Sequence, residues 1–538
     1  MGKPVTKNSF RGRLARGVNA LAHSVNRSAQ AIAGAGSSGG YEGGRRDSRR
    51  TRSWRPTGGS AAADLLPDLP DLVARSRDLE RNSPLALGAI QTKVNGVIGT
   101  GLRLKSQLDF RVLGLSEEQA IAAQDDIERE FELWQRDADW SGVLHWMDMQ
   151  RLIYRSARVS GDIGVVRRYR KDAGQTYGLK LVLIEGDRVC NPNRMADSDR
   201  IKGGVQVSAS GVVEGYHFSD RHPGDMMGGA LKWNFVPRVG TNGSKLMLLP
   251  FQMQRPGQPR GVPLLAPIVQ LVKQLKDLTD AEINAAVNDA MLFAFEQLGA
   301  DDDADHVISA PGAEGEQQTA DGELKIEDLA IITTANGSTV EMHTPSRPNT
   351  AFEPFMLAII KQMGVVLEIP FELMIMHFSA SFSASRGALE IAWKGFLSEK
   401  AWFEREVADV VFEWFFTEAV ATGRLKAKGF LTEAGKRMAW LGKQWIGPTR
   451  IQINPQVEAN ADQKDLEMGT KTRDQIITER TGGDFQRKHA QLTHEEMARR
   501  KDGIGQSAPA PAATSAKPNP KPADEPDDDG ETKKDDDK

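Results

Sequence analysis

Between Leu389 and Trp414 the apolar positions Leu389, Trp393, Phe396, Phe403, Val407, Val410 and Trp414 recur in alternating steps of four and three, with Lys400 filling the one missing step. That spacing predicts a single long helix with one buried face. Trp402, Phe412 and Phe416 fall off the stripe, so the helix needs cover on more than one side, from its own domain or from a neighbouring subunit. Ahead of it lie a second apolar helical stretch beginning near Phe355 and a serine-rich loop running from His377 to Arg386. Ser383 or Ser385 is placed to cap the long helix.

The pattern differs elsewhere in the chain. Residues of about 64 to 160 read as helical: Pro67 and Pro70 precede a segment starting near Leu72, and a strongly amphipathic stretch runs from Ser116, its N-cap, to Trp134. Thr100-Gly101 breaks the helical pattern. From Lys180 to Gln254 the period shortens to β-type runs, Leu181–Ile184, Gly211–Phe218, Leu231–Val236 and Lys245–Phe251, which predict a small, mostly antiparallel region. A helix is then expected over Leu264–Leu298, about 52 Å long at 1.5 Å per residue, with Pro263 and Pro267 in or before its first turn. Residues 301–345 form a polar, glycine-rich insertion with strand signals at Leu329–Thr333 and Thr339–His343, expected to be a small α/β module. Short helices close the body: Gly469 reads as a stop, Thr472 with Gln475 as a capping box, and Gly482-Gly483 as the next terminator.

At 538 residues the chain has room for several domains, and its 39% hydrophobic and 26% charged residues are ordinary for a globular protein. No run approaches the ~20 apolar residues that span a bilayer, and no secretory leader is expected at the N-terminus. A single cysteine, Cys190, excludes an internal disulfide framework and a multi-cysteine metal site. The net charge of −4 hides an asymmetry: residues 1–60 hold twelve Lys or Arg against Glu42 and Asp47, whereas the far end carries Asp527-Asp528-Asp529 and Asp535-Asp536-Asp537. Both ends read as tails too polar to fold alone. The basic arm is either a solubilising leader or a contact for nucleic acid or an acidic partner.

Catalytic grammar is missing. Gly429 to Gly435-Lys436-Arg437 approaches a phosphate loop, but has one residue too many between the glycines and Arg437 where a magnesium-binding Ser or Thr belongs. Asp301, Asp303 and Asp305 resemble the start of a calcium loop, yet His306 replaces the turn glycine and Gly312 the bidentate glutamate. There is no Gly-x-Ser-x-Gly elbow, no His-Glu-x-x-His, and no dinucleotide fingerprint at Gly96, Gly99 and Gly101. Neither enzyme activity, cofactor nor metal is expected.

Several short motifs occur in a fixed order over residues 72–500: Arg77-Asp78-Leu79-Glu80-Arg81-Asn82-Ser83-Pro84, then Val97-Ile98-Gly99-Thr100-Gly101-Leu102, Ser160-Gly161-Asp162, Arg260-Gly261-Val262-Pro263, Ser383-Ala384-Ser385-Arg386, Asn454-Pro455 and Gly482-Gly483-Asp484-Phe485. As a set, with these intervals, they make the chain resemble the portal proteins of tailed bacteriophages, in the lambda-type branch; Asn454-Pro455 stands where that pattern has Asp-Pro. The resemblance implies an α+β portal fold with long stem and wing helices, a small antiparallel β region, an α/β clip insertion and a helical C-terminal crown. In family order the parts are a basic arm (1–63), wing (64–260), stem helix (261–298), clip (299–345), second stem helix and tunnel loop (346–384), the wing's long helix and following segment (385–453), crown (454–505) and acidic tail (506–538).

It further implies a ring, dodecameric in the family, at the vertex of the virion head, assembled in the host bacterial cytoplasm. Double-stranded DNA would pass through the ring, with no membrane involved. The expected partners are the terminase large subunit, the major capsid protein and scaffold, and a head completion or adaptor protein. A channel studded with cations would hold DNA rather than pass it, so the wall is expected to be mixed or acidic. Asp277, Asp280 and Glu282 are its candidates, with Lys273 and Lys276 as isolated basic rings. The tunnel loop supplies Ser379, Ser381, Ser383, Ser385 and Arg386. For Arg386 a contact with DNA or a neighbouring subunit competes with a helix-start ion pair to Glu390. Asp301, Asp302, Asp303, Glu314 and Glu316 are the clip's candidate partner contacts.

Overall fold

The computed structural model describes residues 49, 53–56, 58–225, 229–291, 294–297, 339–342, 351–378, 382–450 and 455–502; at 288–291, 294–297, 339–342 and 382 it describes the backbone alone. The expected strand at Leu329–Thr333 and most of the insertion lie outside them. Among the described residues helices dominate, with four small sheets.

The amphipathic N-terminal stretches fold as α1 (Ala61–Leu65), α2 (Leu69–Asn82) and α3 (Pro84–Val97). β1 (Arg103–Ser106) and the single turn α4 (Phe110–Leu113) lead into α5 (Glu117–Gln135), where Ser116 and Gln119 form a reciprocal capping box. After α6 (Trp146–Val159) the chain turns extended. β2 (Ile163–Tyr169) pairs antiparallel with β3 (Leu179–Glu185) and, on its other edge, with β8 (Met247–Leu248). A second antiparallel sheet is ordered β4 (Ile201–Lys202), β5 (Val205–Val207), β6 (Val213–Ser219), β7 (Trp233–Pro237). Val166, Ile184 and Met247 of the first sheet meet Val205, Tyr216, Phe218 and Val236 of the second in a small core of their own.

The helix expected over Leu264–Leu298 is shorter at both ends. A 3-10 turn at Ala266–Ile268 precedes α7 (Val269–Met291), and Ala294–Gln297 is extended as β9, antiparallel to β10 (Thr339–Met342). Pro263 and Pro267 delay the start, because neither donates a backbone N–H. At the other end the pairing across the insertion overrides helical periodicity. α8 (Phe352–Leu367) and the single turn α9 (Phe371–Met374) follow.

The long helix extends as expected from α10 (Phe382–Phe403) through a π turn at Glu404–Ala408 into α11 (Asp409–Ala421). The π turn, one residue wider than an α turn, marks a change in surroundings. Before it, Phe396 is buried while Ile391 and Leu397 stay exposed; after it Val411, Phe412, Trp414, Phe415 and Phe416 are all buried. Cover for this second half comes from the chain's own domain. Phe131 and Trp134 of α5 stack at 5.3 Å, Phe131 meets Phe415 edge-on at 5.0 Å, and Tyr177 lies 5.2 Å from Phe415. Thus the off-stripe residues Phe412 and Phe416 are core, and Trp402 is half-buried beside it.

α12 (Ala434–Trp440) follows, with Glu433 at its N-cap position. β11 (Lys443–Ile446) then pairs antiparallel with β1, more than 300 residues earlier. The C-terminal helices are α13 (Pro455–Met468), α14 (Arg473–Thr481), with its Thr472–Gln475 capping box, and α15 (Phe485–Lys501). Gly469 and Gly482 take the left-handed conformation expected of helix terminators.

Candidate channel elements and the node that anchors them

α7 and α8 pack on each other where Val272 and Leu275, near the start of α7, meet the cluster that holds Ile360, Met363 and Leu367, near the end of α8. The pair is therefore antiparallel, and its far ends project beyond the core. β9 and β10 pair across that far end, so the insertion leaves and returns at one place. The projecting surfaces are apolar in part: Ile283 and Val287 on α7 and Phe355 on α8 are exposed; nearer the core, so are Val365 and Val366 in the last turn of α8 and Ile391 on α10.

On α7, Lys273, Lys276, Asp277 and Asp280 fall at i, i+3, i+4 and i+7, sharing one exposed face opposite Val272 and Leu275. Lys273 is not an isolated cation: its ammonium donates to both Asp277 carboxylate oxygens at 2.6 and 2.7 Å. The face balances two cations against two anions. Glu282 lies a full two turns from Leu275, on the half-buried side, so the structure separates it from the Asp277 and Asp280 face.

Ser383 and Ser385 sit inside the first turn of α10, which starts at Phe382, so neither caps it from outside. Ser383 is exposed; Ser385 is buried, its hydroxyl without a hydrogen-bond partner among the described residues. The half-buried Arg386 lines a small cavity with Leu373, Leu389, Trp393, Arg450 and Glu458. Its expected partner Glu390 is engaged instead by Arg450. Ser379, Ser381, Asp301, Asp302, Asp303, Glu314 and Glu316 lie outside the described residues.

Three of the ordered motifs converge at the root of α7. Arg260, almost fully buried, donates through Nε and Nη2 to the two Asp162 oxygens at 2.6 and 2.7 Å, through Nη1 to the Val189 and Gly203 carbonyls, and through Nη2 to the Gly186 carbonyl at 2.7 Å. The Gly261 N–H donates to Asp162 at 2.9 Å. Burial alone would lower the guanidinium, but Asp162 more than offsets it and the cation is held. Arg77 of the first motif reaches Ser160 Oγ at 3.1 Å and also pairs with Asp187. Gly161 and Gly261 touch backbone to backbone: a methyl group at Gly261 would collide with the Gly161 carbonyl oxygen, and Gly161 has φ +89°. This node ties α2, the start of β2 and the turn after β3 to the segment that enters α7.

A second buried ionic group fixes α10. Glu399 accepts from Lys93 Nζ at 2.7 Å and lies 3.2 Å from Arg158 Nε, and the Tyr154 hydroxyl donates to it. The Arg158 guanidinium stacks 4.7 Å from the Trp402 ring. Periodicity pointed to Lys400 as the odd residue of the stripe, yet Lys400 turns out to Glu404 and the Trp445 carbonyl, and the buried charge is Glu399. The only sequence signal for it was its place beside the stripe.

The model of the family described as "Phage portal protein, lambda family" matches residues 47–400, about two-thirds of the chain. The chain belongs to the lambda family of phage portal proteins, structural components of the phage particle. It is 26% identical to the portal protein of Escherichia phage N15 over 493 residues, covering 86% of this chain and 91% of that one. It is also 25% identical to portal protein B of Escherichia phage lambda over 488 residues, covering 86% and 90%. Among solved structures, the neck of a native gene transfer agent particle computed with C12 symmetry aligns at 12% identity and a TM-score of 0.43, over 76% of this chain and 92% of that chain. The neck of an empty particle computed with C6 symmetry aligns at 13% and 0.42, over 79% and 94%.

Proposed function

We propose that the chain assembles into a closed ring of identical subunits, twelve as in the family expectation, at the head vertex of the virion, and that double-stranded DNA enters and leaves the head along its axis. The observation that carries this reading is the α7–α8 pair, whose ends project from the core with exposed apolar residues and a charge-balanced polar face. A head-to-tail interface repeated around an axis closes into a ring, and apolar helical faces supply its contact area. α7 and α8 serve as stem, the insertion closed by β9 and β10 as clip, residues 64–260 and α10–α11 as wing, α13–α15 as crown, and the segment from Leu367 to Ser385 as tunnel loop. The clip is the docking point for the terminase large subunit and later for the head completion protein; capsid protein and scaffold surround the wing. Assembly takes place in the host cytoplasm.

Mass measurement with negative-stain imaging tests the ring: closed rings are expected, and a monomer or dimer at every concentration would overturn the reading. Val365→Asp combined with Ile391→Asp should abolish the rings and leave the thermal midpoint of the subunit unchanged, because both side chains are largely exposed in the single chain.

The α7 face gives a second expectation. Asp277→Lys with Asp280→Lys replaces two anions per subunit by two cations, and each phosphate neutralised adds a salt-dependent increment to DNA affinity. Particles with this pair should package normally at high salt and eject slowly at low salt. Ejection kinetics measured across salt concentrations and equal to those of the parent would remove this face from the channel wall.

A further inference from the structure

None of the residues of α13, α14 and α15 is buried, and none belongs to the apolar clusters that hold the rest of the chain. Within the unit, ion pairs join the helices: Arg480 to Asp462, and Lys471 to Asp462, Asp465 and Glu479. Towards the body a different set forms a seam. Lys105 of β1, itself nearly buried, reaches Asp474 in the first turn of α14 at 2.5 Å and Asp484, the N-cap of α15, at 3.1 Å. Arg487, in the first turn of α15, answers from the other side, meeting Glu128 at 3.2 Å and Glu132 at 3.3 Å, both on α5. The polarity alternates: a body cation takes two anions of the unit, and a cation of the unit takes two anions of the body. Between them the buried Gly482 lies against Arg103 and Thr449.

We propose that this crossed pair of ion bridges is a clasp, and that the C-terminal helical unit docks on the wing and lifts from it as one piece according to the ionic strength at the seam. The bridges of the exposed Arg487 are weak and screened by salt, and those of the more deeply set Lys105 are screened less, whereas apolar burial is not screened at all. A unit held without buried apolar side chains is therefore the first part of the chain to release when screening rises, while the body keeps its core. Local opening of this kind belongs to the low-stability end of a fold. The alternating polarity also fixes the docked register, since a slide along the seam would bring Lys105 towards Arg487 and the carboxylates towards one another. The inference does not depend on the ring reading, because every contact lies within one chain.

The test is a distance measurement in the full-length chain. Dyes are placed at Ala122→Cys on α5 and Gln491→Cys on α15 in a Cys190→Ser background, with labelled chains diluted into unlabelled ones so that energy transfer reports one subunit. Transfer should fall reversibly as salt rises from about 0.1 M to about 1 M, over which the screening length drops from about 10 Å to about 3 Å. Lys105→Ala should raise the open fraction at low salt roughly two- to fivefold for each pair lost. Arg487→Glu should do the same, and adding Glu132→Arg should restore docking in part, which guards against a variant that simply misfolds. Transfer that ignores salt, or that is the same in Arg487→Glu as in the parent, would overturn the clasp. So would loss of transfer only when the near-ultraviolet signal of the aromatic core is lost with it.

Discussion

Replacing Arg260 by leucine should cost the chain about 3–5 kcal/mol, the range for removing one partner of a buried ion pair, and should leave little of it soluble. The loss exceeds that of one charge. Arg260 makes five hydrogen bonds to a carboxylate and three carbonyl oxygens, and Asp162, without accessible surface, would be left with only the Gly261 N–H among those contacts. Arg260→Lys should recover only a small part, because one ammonium cannot reproduce a planar fork aimed at Asp162, Val189, Gly203 and Gly186 together. The comparator lies five residues away. Arg255 pairs with Asp64 at 2.6 Å, but both side chains are about half exposed, so Arg255→Leu should stay within about 1 kcal/mol. Urea midpoints of the three variants check this; an Arg260→Leu midpoint equal to that of Arg255→Leu would refute the anchoring role. Because the node roots α7, surviving Arg260→Leu protein should also give fewer closed rings.

Much of this arrangement was legible in the chain itself. The N-cap Ser116, the capping box at Thr472–Gln475, the terminators Gly469 and Gly482, and the stripe from Leu389 to Trp414 are local signals, and the folded chain uses them as local signals. What escaped is non-local. β1 is four residues, two of them charged, and becomes a strand only because Lys443–Ile446 lies beside it. β9 is cut from the end of an apparently continuous helix by a partner at Thr339–Met342. β2 begins as an apolar run after a helix and ends in Arg167-Arg168-Tyr169, a pattern without clean alternation. Among the site residues the same division holds. The motifs Ser160-Gly161-Asp162 and Arg260-Gly261-Val262-Pro263 stood out one by one, but their meeting needed the fold. The capping role expected of Ser383 or Ser385 failed for a different reason: Ser is favoured both at caps and in turns, so composition could not set where α10 begins.

Glu399→Gln should be the second large loss, and its pH dependence separates it from a packing defect. Glutamine keeps the volume but leaves Lys93 and Arg158, both nearly buried, without their counter-charge, a loss of about 3–5 kcal/mol at neutral pH. Burial by itself would raise the Glu399 carboxyl, but Arg158 and Lys93 outweigh it and hold it below its ordinary value of 4.5. A carboxyl whose folded value is depressed contributes stability that is fully present above the ordinary value and is lost as pH falls through the depressed one. The parent should therefore lose stability through the acid range, and the gap between parent and Glu399→Gln should narrow with it. Glu404, one turn further along, makes the opposite case. Burial raises its carboxyl more than Lys400 lowers it, so Glu404→Gln should cost little and should not flatten the acid limb. Urea midpoints of both variants at several pH values decide this: a gap for Glu399→Gln that stays constant from neutral to acid pH would mean that shape, and not charge, is what Glu399 contributes between α3, α6 and α10.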